Sequence, residues 1–482
     1  MKKFLSLVLA LVMTMSLVTI SAGAKDFDDN GDIDYKEAVD VISALGIVDG
    51  YSDGSFRPDG SLTRGAAAKI ICNLILGPTT ASALSATTAP FKDVPTTNVF
   101  AGYITYCAQQ GIIGGYGDGT FRPSGTLTGN AFMKMLLGAL GYDSSVEGYT
   151  GSNWQVSVIK QASGIGLDDG NDDFVGSKAV TRQEAALYAC NMLQATMVEY
   201  DQKSTIVVGD VQVNTSSTRS DVANATRTDG NIDNDNKMQF AEKYFTDLNR
   251  VDGSDDFGRP SNVWEYKNDE IGTYANTDDL VETYTAKVTS ADVYDAVGKS
   301  VYDSLKDGKS DLTTYVDGVK TAVAKGSVDS YVEKNDTNTV NGSGNGMLTE
   351  VYLDDDNNVT IVSINTYVFQ AVADYSSSKD SVSLTTAGDT DITLDNNTLD
   401  GDDFDIKNIK ADDYILVNAA KLSNGRYDVK NIAVAEVVTG AVNSYKLDDS
   451  VTIGSTTYKY ALKTLKSTDS ASDTVKGTQY TV

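Results

Sequence analysis

One short unit returns along this 482-residue chain, and that repetition constrains the fold more than any other feature. The stretch GYSDGSFRPDGSLTRGAAAKI, from Gly50 to Ile70, comes back as GYGDGTFRPSGTLTGNAFMKM, from Gly115 to Met135. GIV at Gly46 to Val48 recurs as GII at Gly111 to Ile113, 65 positions later, and Phe56, Pro58 and Thr63 keep that offset. A third copy follows 53 residues after the second, with Gly111 mapping to Gly164 and Thr128 to Thr181 in VTRQEAAL. Several landmarks sharing one register make this a single unit used three times.

Each unit reads as helix, loop, helix. Tyr35, Ala38, Val39, Ile42 and Leu45 fall on one apolar face, and Gly46 ends that helix. The second helix buries Ala67, Ile70, Ile71, Leu74 and Ile75. Between them GYSDGSFRP is a tight irregular turn in which Phe56 plugs the small core and Pro58 closes the loop. Thr63 and Thr181 read as N-caps, and Thr181 with Glu184 as a capping box.

Capping leaves Arg64 and Arg182 unexplained. Both occupy the first helical position, where the helix dipole disfavours a cation. A guanidinium beside exposed helix N–H groups suits a carboxylate or phosphate. The alternative is an intramolecular pair with a neighbouring Asp. In the second unit the matching residue is Gly129.

The motifs GYSDGSFRP…LTRGAAA, FKDV…GIIGGYGDGTFRP and VTRQEAA resemble the S-layer homology (SLH) domain triplet of bacterial cell-surface proteins, over about residues 25 to 197. The resemblance implies an N-terminal all-α triplet, a three-pronged pseudo-trimer of helix-loop-helix repeats. It also implies grooves between the prongs that hold a secondary cell-wall polymer, a pyruvylated glycan carrying a carboxylate, or a peptidoglycan-linked glycan. The family's arginine falls on Arg64 and Arg182. The other implied polymer-binding residues are Trp154, Tyr35 and Tyr103 near the start of each first helix, Asp29 and Asp93 of the F-x-D motif, and Asp53 and Asp118 of the loops. Gly129 departs from the pattern, as does the third loop, GLDDGNDDFVGSKA, and F-x-D has no clear third copy. One or two competent grooves are expected, and Gly129→Arg is a candidate for restoring another.

Bulk properties agree with an exported surface protein. Lys2 and Lys3 precede an apolar run from Phe4 to Ile20 and then SAGA, the pattern of a signal peptide cleaved after Ala24. There are 39 Lys plus Arg against 67 Asp plus Glu, a net charge of −28, which repels phosphate backbones and excludes nucleic acid as a partner. Cys72, Cys107 and Cys190, an odd number without C-x-x-C spacing, argue against a disulfide framework or a thiolate metal site and read as small buried hydrophobes. No His is present, so neither a Ser-His-Asp site nor an ordinary zinc site can be built.

No cofactor is expected. DFDDNGDIDYKE, Asp26 to Glu37, satisfies the EF-hand loop pattern, with Asp26, Asp28, Asn30, Gly31, Asp34 and Glu37 in place. It lacks a preceding helix, and the repeat already accounts for several of these residues. Calcium is therefore kept as the lesser reading there. DGNIDNDN (229–236) and DDDNN (354–358) are also rich in ligand oxygens, the second reading first as a hairpin turn.

The whole chain is expected to be α+β and multidomain. The boundaries are a signal peptide at 1–24, repeats at 25–83, 90–145 and 146–197, a mixed α/β region at 200–335, mainly helical from 289 to 333, and a β-rich region of barrel or sandwich modules at 346–482. The function expected is a non-catalytic structural protein of the bacterial cell wall, an S-layer component that self-assembles into a lattice. The alternative is an SLH-anchored exported enzyme acting on wall or extracellular glycans through paired carboxylates.

Overall fold

The apolar spacing of each repeat becomes a helix pair in the computed structural model. The pairs are α1 (Lys36–Ala44) with α2 (Arg64–Leu76), α3 (Ala101–Gln109) with α4 (Gly129–Ala139), and α5 (Trp154–Gly164) with α6 (Arg182–Gln194). The structure describes residues 25–463 except 202–204, 209–210, 215–216, 225–230, 234, 388–389, 439 and 447–448. The expected signal peptide and part of the 229–236 stretch lie outside the described residues. The chain is α+β and divides into two units, 25–251 with Val263–Gly272, and Asp252–Asn262 with 273–463.

In the N-terminal unit, local capping sets both ends of the loops. Thr63, Thr128 and Thr181 accept hydrogen bonds from the amides of Ala66, Ala131 and Glu184, and Glu184 closes a capping box on Thr181. Each such cap is worth about 1 kcal/mol. At the other end, the Gly46 N–H donates to the Ser43 carbonyl and the Ile47 N–H to Ile42. Gly111 and Ile112 close α3 in the same way, and Gly166 and Leu167 close α5. This Schellman motif needs a residue in the left-handed region, and the three glycines have φ of 69°, 72° and 73°.

The third copy thus corrects the expected register. Gly164 is the last residue of α5, and Gly166 is the glycine that turns the chain out of the helix. The third loop is therefore two residues shorter than the others between this glycine and its threonine. GIG offers two glycines, and only the backbone conformation distinguishes them.

The units join in a cycle. Each second helix packs on the first helix of the next unit, α2 on α3, α4 on α5 and α6 on α1. At the centre, the Leu62 N–H donates to the Val180 carbonyl, Val180 to Leu127, and Leu127 to Leu62, at 2.9–3.0 Å. All three residues are buried. The segment Val263–Gly272 belongs to this unit and buries Trp264, whose indole N–H donates to the Glu37 carboxylate.

The C-terminal unit is built on two five-stranded sheets. β1 (Leu280–Tyr284), β2 (Leu312–Val316), β3 (Val319–Ala322), β4 (Met347–Leu353) and β5 (Val359–Asn365) lie in the order β3-β2-β5-β4-β1, with β2 and β5 parallel. Helix α7 (Ser290–Asp307) covers this sheet through Val293, Val297, Val301 and Leu305. β6 (Tyr367–Ala371), β7 (Ser381–Thr386), β8 (Thr398–Asp400), β9 (Tyr414–Lys421) and β10 (Tyr427–Val434) form the second sheet, β8-β7-β6-β9-β10, entirely antiparallel.

The helical reading of 289–333 is only partly right, because a hairpin, β2 and β3, follows α7. Asp317 and Gly318 both have positive φ, as a two-residue type I′ turn requires, and Asp-Gly between alternating β-branched residues is its sequence signal. The DDDNN stretch is the β4–β5 turn, where the Asp354 carboxylate accepts from the amides of Asp356 and Asn358 and from the Asn358 side chain.

The register correction is directly testable. Gly166→Ala forces a β-carbon into the left-handed region and toward the Asp169 carboxylate, and should cost about 1–2 kcal/mol. Gly164→Ala meets nothing within 4 Å and should leave stability unchanged or raise it by about 0.5–1 kcal/mol. In thermal melts Gly166→Ala should fall below the parent and Gly164→Ala should not.

Candidate functional site

The cyclic packing hands each second helix's first residue to the loop of the next unit. Arg64 Nε donates to the Phe121 carbonyl at 2.8 Å and Nη2 to Gly114 at 3.1 Å. Arg182 does the same one unit on, with Nε to Phe56 at 2.7 Å and Nη2 to Asp49 at 2.9 Å, both main-chain carbonyls. The expected alternative of an Asp partner is not what forms. Among the described residues neither arginine makes an ion pair, and neither Nη1 group donates a hydrogen bond. Burial pulls both guanidinium pKa values below their ordinary range.

A second arginine stands beside each. Arg57 lies 4.0 Å from the Tyr51 ring centroid and Arg182 lies 4.8 Å from it; Arg122 and Arg64 flank Tyr116 at 4.1 and 5.1 Å. Arg57 and Arg122 have φ of 56° and 61°, uncommon for residues with a β-carbon. The F-x-D aspartates hold them there. Asp29 accepts from the amides of Phe56 and Arg57, and Asp93 from those of Phe121 and Arg122, each at 2.7 Å.

Asp53 and Asp118 are likewise committed within their loops. The Ser55 hydroxyl and Arg57 guanidinium hold Asp53 at a pKa of about 2, and Thr120 and Arg122 do the same for Asp118. These four carboxylates shape the cation-bearing loops.

Around Arg64 the surface closes into a cavity of about 330 Å³, lined also by Gly114, Tyr116, Phe121, Lys134 and Trp154. Lys134 donates to the Tyr149 carbonyl and lies 5.3 Å from the Trp154 ring centroid, and burial lowers its pKa. This cavity holds two cations, both gripped by main-chain oxygens, beside exposed aromatic surface. Such an arrangement takes an anionic group on a ring that can lie against an aromatic face.

The third inter-unit position differs in its side chains. Gly129 stands where the arginine would be, and a β-carbon there would meet the Phe174 ring at 2.9 Å and Gly176 Cα at 3.2 Å. The lysine of the pattern, Lys69 in α2 and Lys134 in α4, is Leu187 in α6. Tyr35 sits there at the N-cap of α1, its phenol pushed up by burial and by Glu184, Asp34, Asp173 and Asp172. The position has lost both cations and gained carboxylates. Phe174, lying against Gly129, opposes the idea that Gly129→Arg restores a groove.

The named residues therefore separate. Arg64 and Trp154 share the cavity, Arg182 holds the equivalent place one unit away, and Tyr35 marks the acidic position. Tyr103 lies within α3, and the N-cap place matching Tyr35 belongs to Phe100. Sequence reading missed Arg57, Arg122, Tyr51, Tyr116 and Lys134 as site residues. The signal was present, since all of them keep the 65-residue offset. Glu37, the last residue of the EF-hand pattern, accepts from the Trp264 indole inside the fold.

The S-layer homology domain family matches residues 26–68 and 90–132, the first two units. The chain is 27% identical over 203 residues to the middle cell wall protein of Brevibacillus brevis, covering 41% of this chain and 19% of that protein. It is 29% identical over 172 residues to the surface layer protein of Brevibacillus choshinensis, covering 35% and 15%. It is 39% identical over 111 residues to the cellulosome-anchoring protein of Acetivibrio thermocellus, covering 23% and 25%. The chain thus spans a quarter or less of the length of each of these relatives.

Two outcomes follow from the geometry. Gly129→Arg should lower stability by about 1–3 kcal/mol through overpacking against Phe174, with no gain of anion binding. A matched Gly129→Ala should show a smaller loss in the same melt. Asp53 and Asp118 have depressed pKa values, so what they contribute to stability is present above the unfolded value of about 3.9 and lost as pH falls through about 2. Carboxyl NMR titration should give midpoints near 2 for both, and a midpoint near 4 for either would contradict the loop hydrogen bonding.

Proposed function

Because the chain is a bacterial cell-surface protein carrying S-layer homology domains, we propose that its N-terminal unit anchors it non-covalently to a secondary cell-wall polymer. The polymer recognised is an anionic glycan whose sugar bears a carboxylate, such as a pyruvylated amino sugar, attached to peptidoglycan. The three units act as one triplet, a three-pronged pseudo-trimer with binding grooves between its prongs. One observation carries the reading, the cavity that sets Arg64 and Lys134 against Tyr116 and Trp154 with no carboxylate partner for Arg64 among the described residues.

Two grooves are competent in this reading, those of Arg64 and Arg182. The carboxylates around Tyr35 repel the same ligand at the third. In each competent groove the guanidinium is preorganised by main-chain carbonyls and keeps Nη1 for the sugar carboxylate. The rest of the chain is a non-catalytic structural body of a surface layer, a role matching the names of the two Brevibacillus relatives. Assembly into a lattice belongs to the same proposal.

The test is co-sedimentation with native walls and with walls stripped of the polymer. The protein should pellet only with the first. Arg64→Ala and Arg182→Ala should each weaken binding by roughly 1.5–3 kcal/mol, as for a hydrogen bond to a charged partner. Both should also lower the melting temperature, because each arginine ties two carbonyls of the next unit; Lys should rescue only in part. A folded alanine variant that binds walls as tightly as the parent would defeat the proposal. Catalytic turnover of wall glycans abolished by one carboxylate substitution would instead favour an enzyme.

A further inference from the structure

The three cysteines are all buried, but two of them meet. Cys72 Sγ on α2 lies 3.5 Å from Cys107 Sγ on α3, across the packing of the first unit on the second. The other neighbours of these sulfurs are main-chain oxygens, Tyr103 for Cys72 at 3.5 Å and Ala68 for Cys107 at 3.6 Å.

The repeat supplies an internal comparison for this pair. By the register of the second helices, Cys72 corresponds to Leu137 in α4 and Cys190 in α6. By the closing glycines, Cys107 corresponds to Ile42 in α1 and Ala162 in α5. The helix pair α4–α5 thus has Leu and Ala at these places, and α6–α1 has Cys and Ile. Apolar side chains serve both positions, so packing alone does not call for two thiols. Only at α2–α3 do both positions carry sulfur.

We propose that Cys72 and Cys107 form a disulfide as the exported chain folds, covalently tying the first unit to the second. The two thiols give up two protons and two electrons to make one S–S bond. A low-molecular-weight disulfide or the disulfide of a thiol oxidase takes them and becomes two thiols. The sulfurs must close from 3.5 Å to about 2.0 Å, a small movement for two side chains already facing each other. The bond closes a loop spanning 35 residues and restrains the unfolded chain accordingly. It also fixes α2, which carries Arg64, to the unit whose loop Arg64 grips.

Timing follows from the environment. The hydrogen bond between the sulfurs, together with burial, pushes the Cys72 thiol above its ordinary range, so this thiol exchanges slowly in the folded chain. Oxidation therefore belongs to the stage before α2 and α3 close. Once formed, the bond is shielded from reductants by the same burial, in an extracellular setting where disulfides persist. Cys190 remains a thiol.

The test uses the full mature chain, refolded in a buffer of oxidised and reduced glutathione, quenched with acid, then alkylated in denaturant and peptide-mapped. The expected result is one link, joining the peptides of Cys72 and Cys107, with Cys190 alkylated. Parent refolded with reductant throughout should melt several degrees below parent refolded in the glutathione buffer, and Cys107→Ala should melt at the same temperature after either refolding. Cys107→Ala carries the residue that Ala162 places at the same position of α5, so it should fold; Cys72→Leu, after Leu137, is the second such control. Three alkylated thiols after oxidative refolding, a link through Cys190, or a parent that melts at the same temperature after oxidative and reductive refolding would each overturn the proposal.

Discussion

The N-terminal unit depends on three main-chain hydrogen bonds that form a closed ring, Leu62 to Val180, Val180 to Leu127 and Leu127 to Leu62. Each of these residues immediately precedes the threonine that caps a second helix. The ring therefore brings three helix N-termini to one centre. Amides that a helix start leaves without partners are then satisfied between units. The Arg64 N–H donates to Gly125, Gly129 to Lys178 and Arg182 to Gly60. These bonds tie each unit to the next.

The ring also explains why an arginine tolerates an unfavourable place in the helix dipole. The residue after each threonine is delivered to the next unit's loop, where carbonyls converge. Those carbonyls compensate the cation that the dipole opposes. The loops are held in turn by Asp29 and Asp93, which pin Arg57 and Arg122 at positive φ and set a second guanidinium by each tyrosine. Backbone strain is retained there because the carboxylates over-determine it.

Threefold repetition has not kept threefold chemistry. In the shortened third loop Phe174 moves against Gly129 and packs on Tyr188, and the cations are replaced by Leu187 and carboxylates. That position keeps its main-chain bonds to the ring, so its structural part survives while its charge pattern inverts. The C-terminal unit follows different rules. There a mixed sheet under α7 and an antiparallel sheet share the Asp317 carboxylate, which accepts from Asn365 and Tyr367 and is raised in pKa by burial.

What the sequence by itself determined is local and periodic. The helix pairs, the threonine caps, the closing glycines of the first two units and the anomaly of Arg64 and Arg182 are all set by residues within one turn of each other. The third glycine and the β2–β3 hairpin were misread because two local signals competed, Gly164 with Gly166 and the period of α7 with the Asp317–Gly318 turn. What only the tertiary structure decided is which partner each anomalous residue meets. Arg64 reaches Phe121, Arg182 reaches Phe56 across 126 positions, and Cys72 reaches Cys107, because the ring closes the chain on itself. A repeat offset records that two positions are equivalent. It carries no information about the neighbour supplied by the next unit, since that depends on the direction in which the cycle of hydrogen bonds runs.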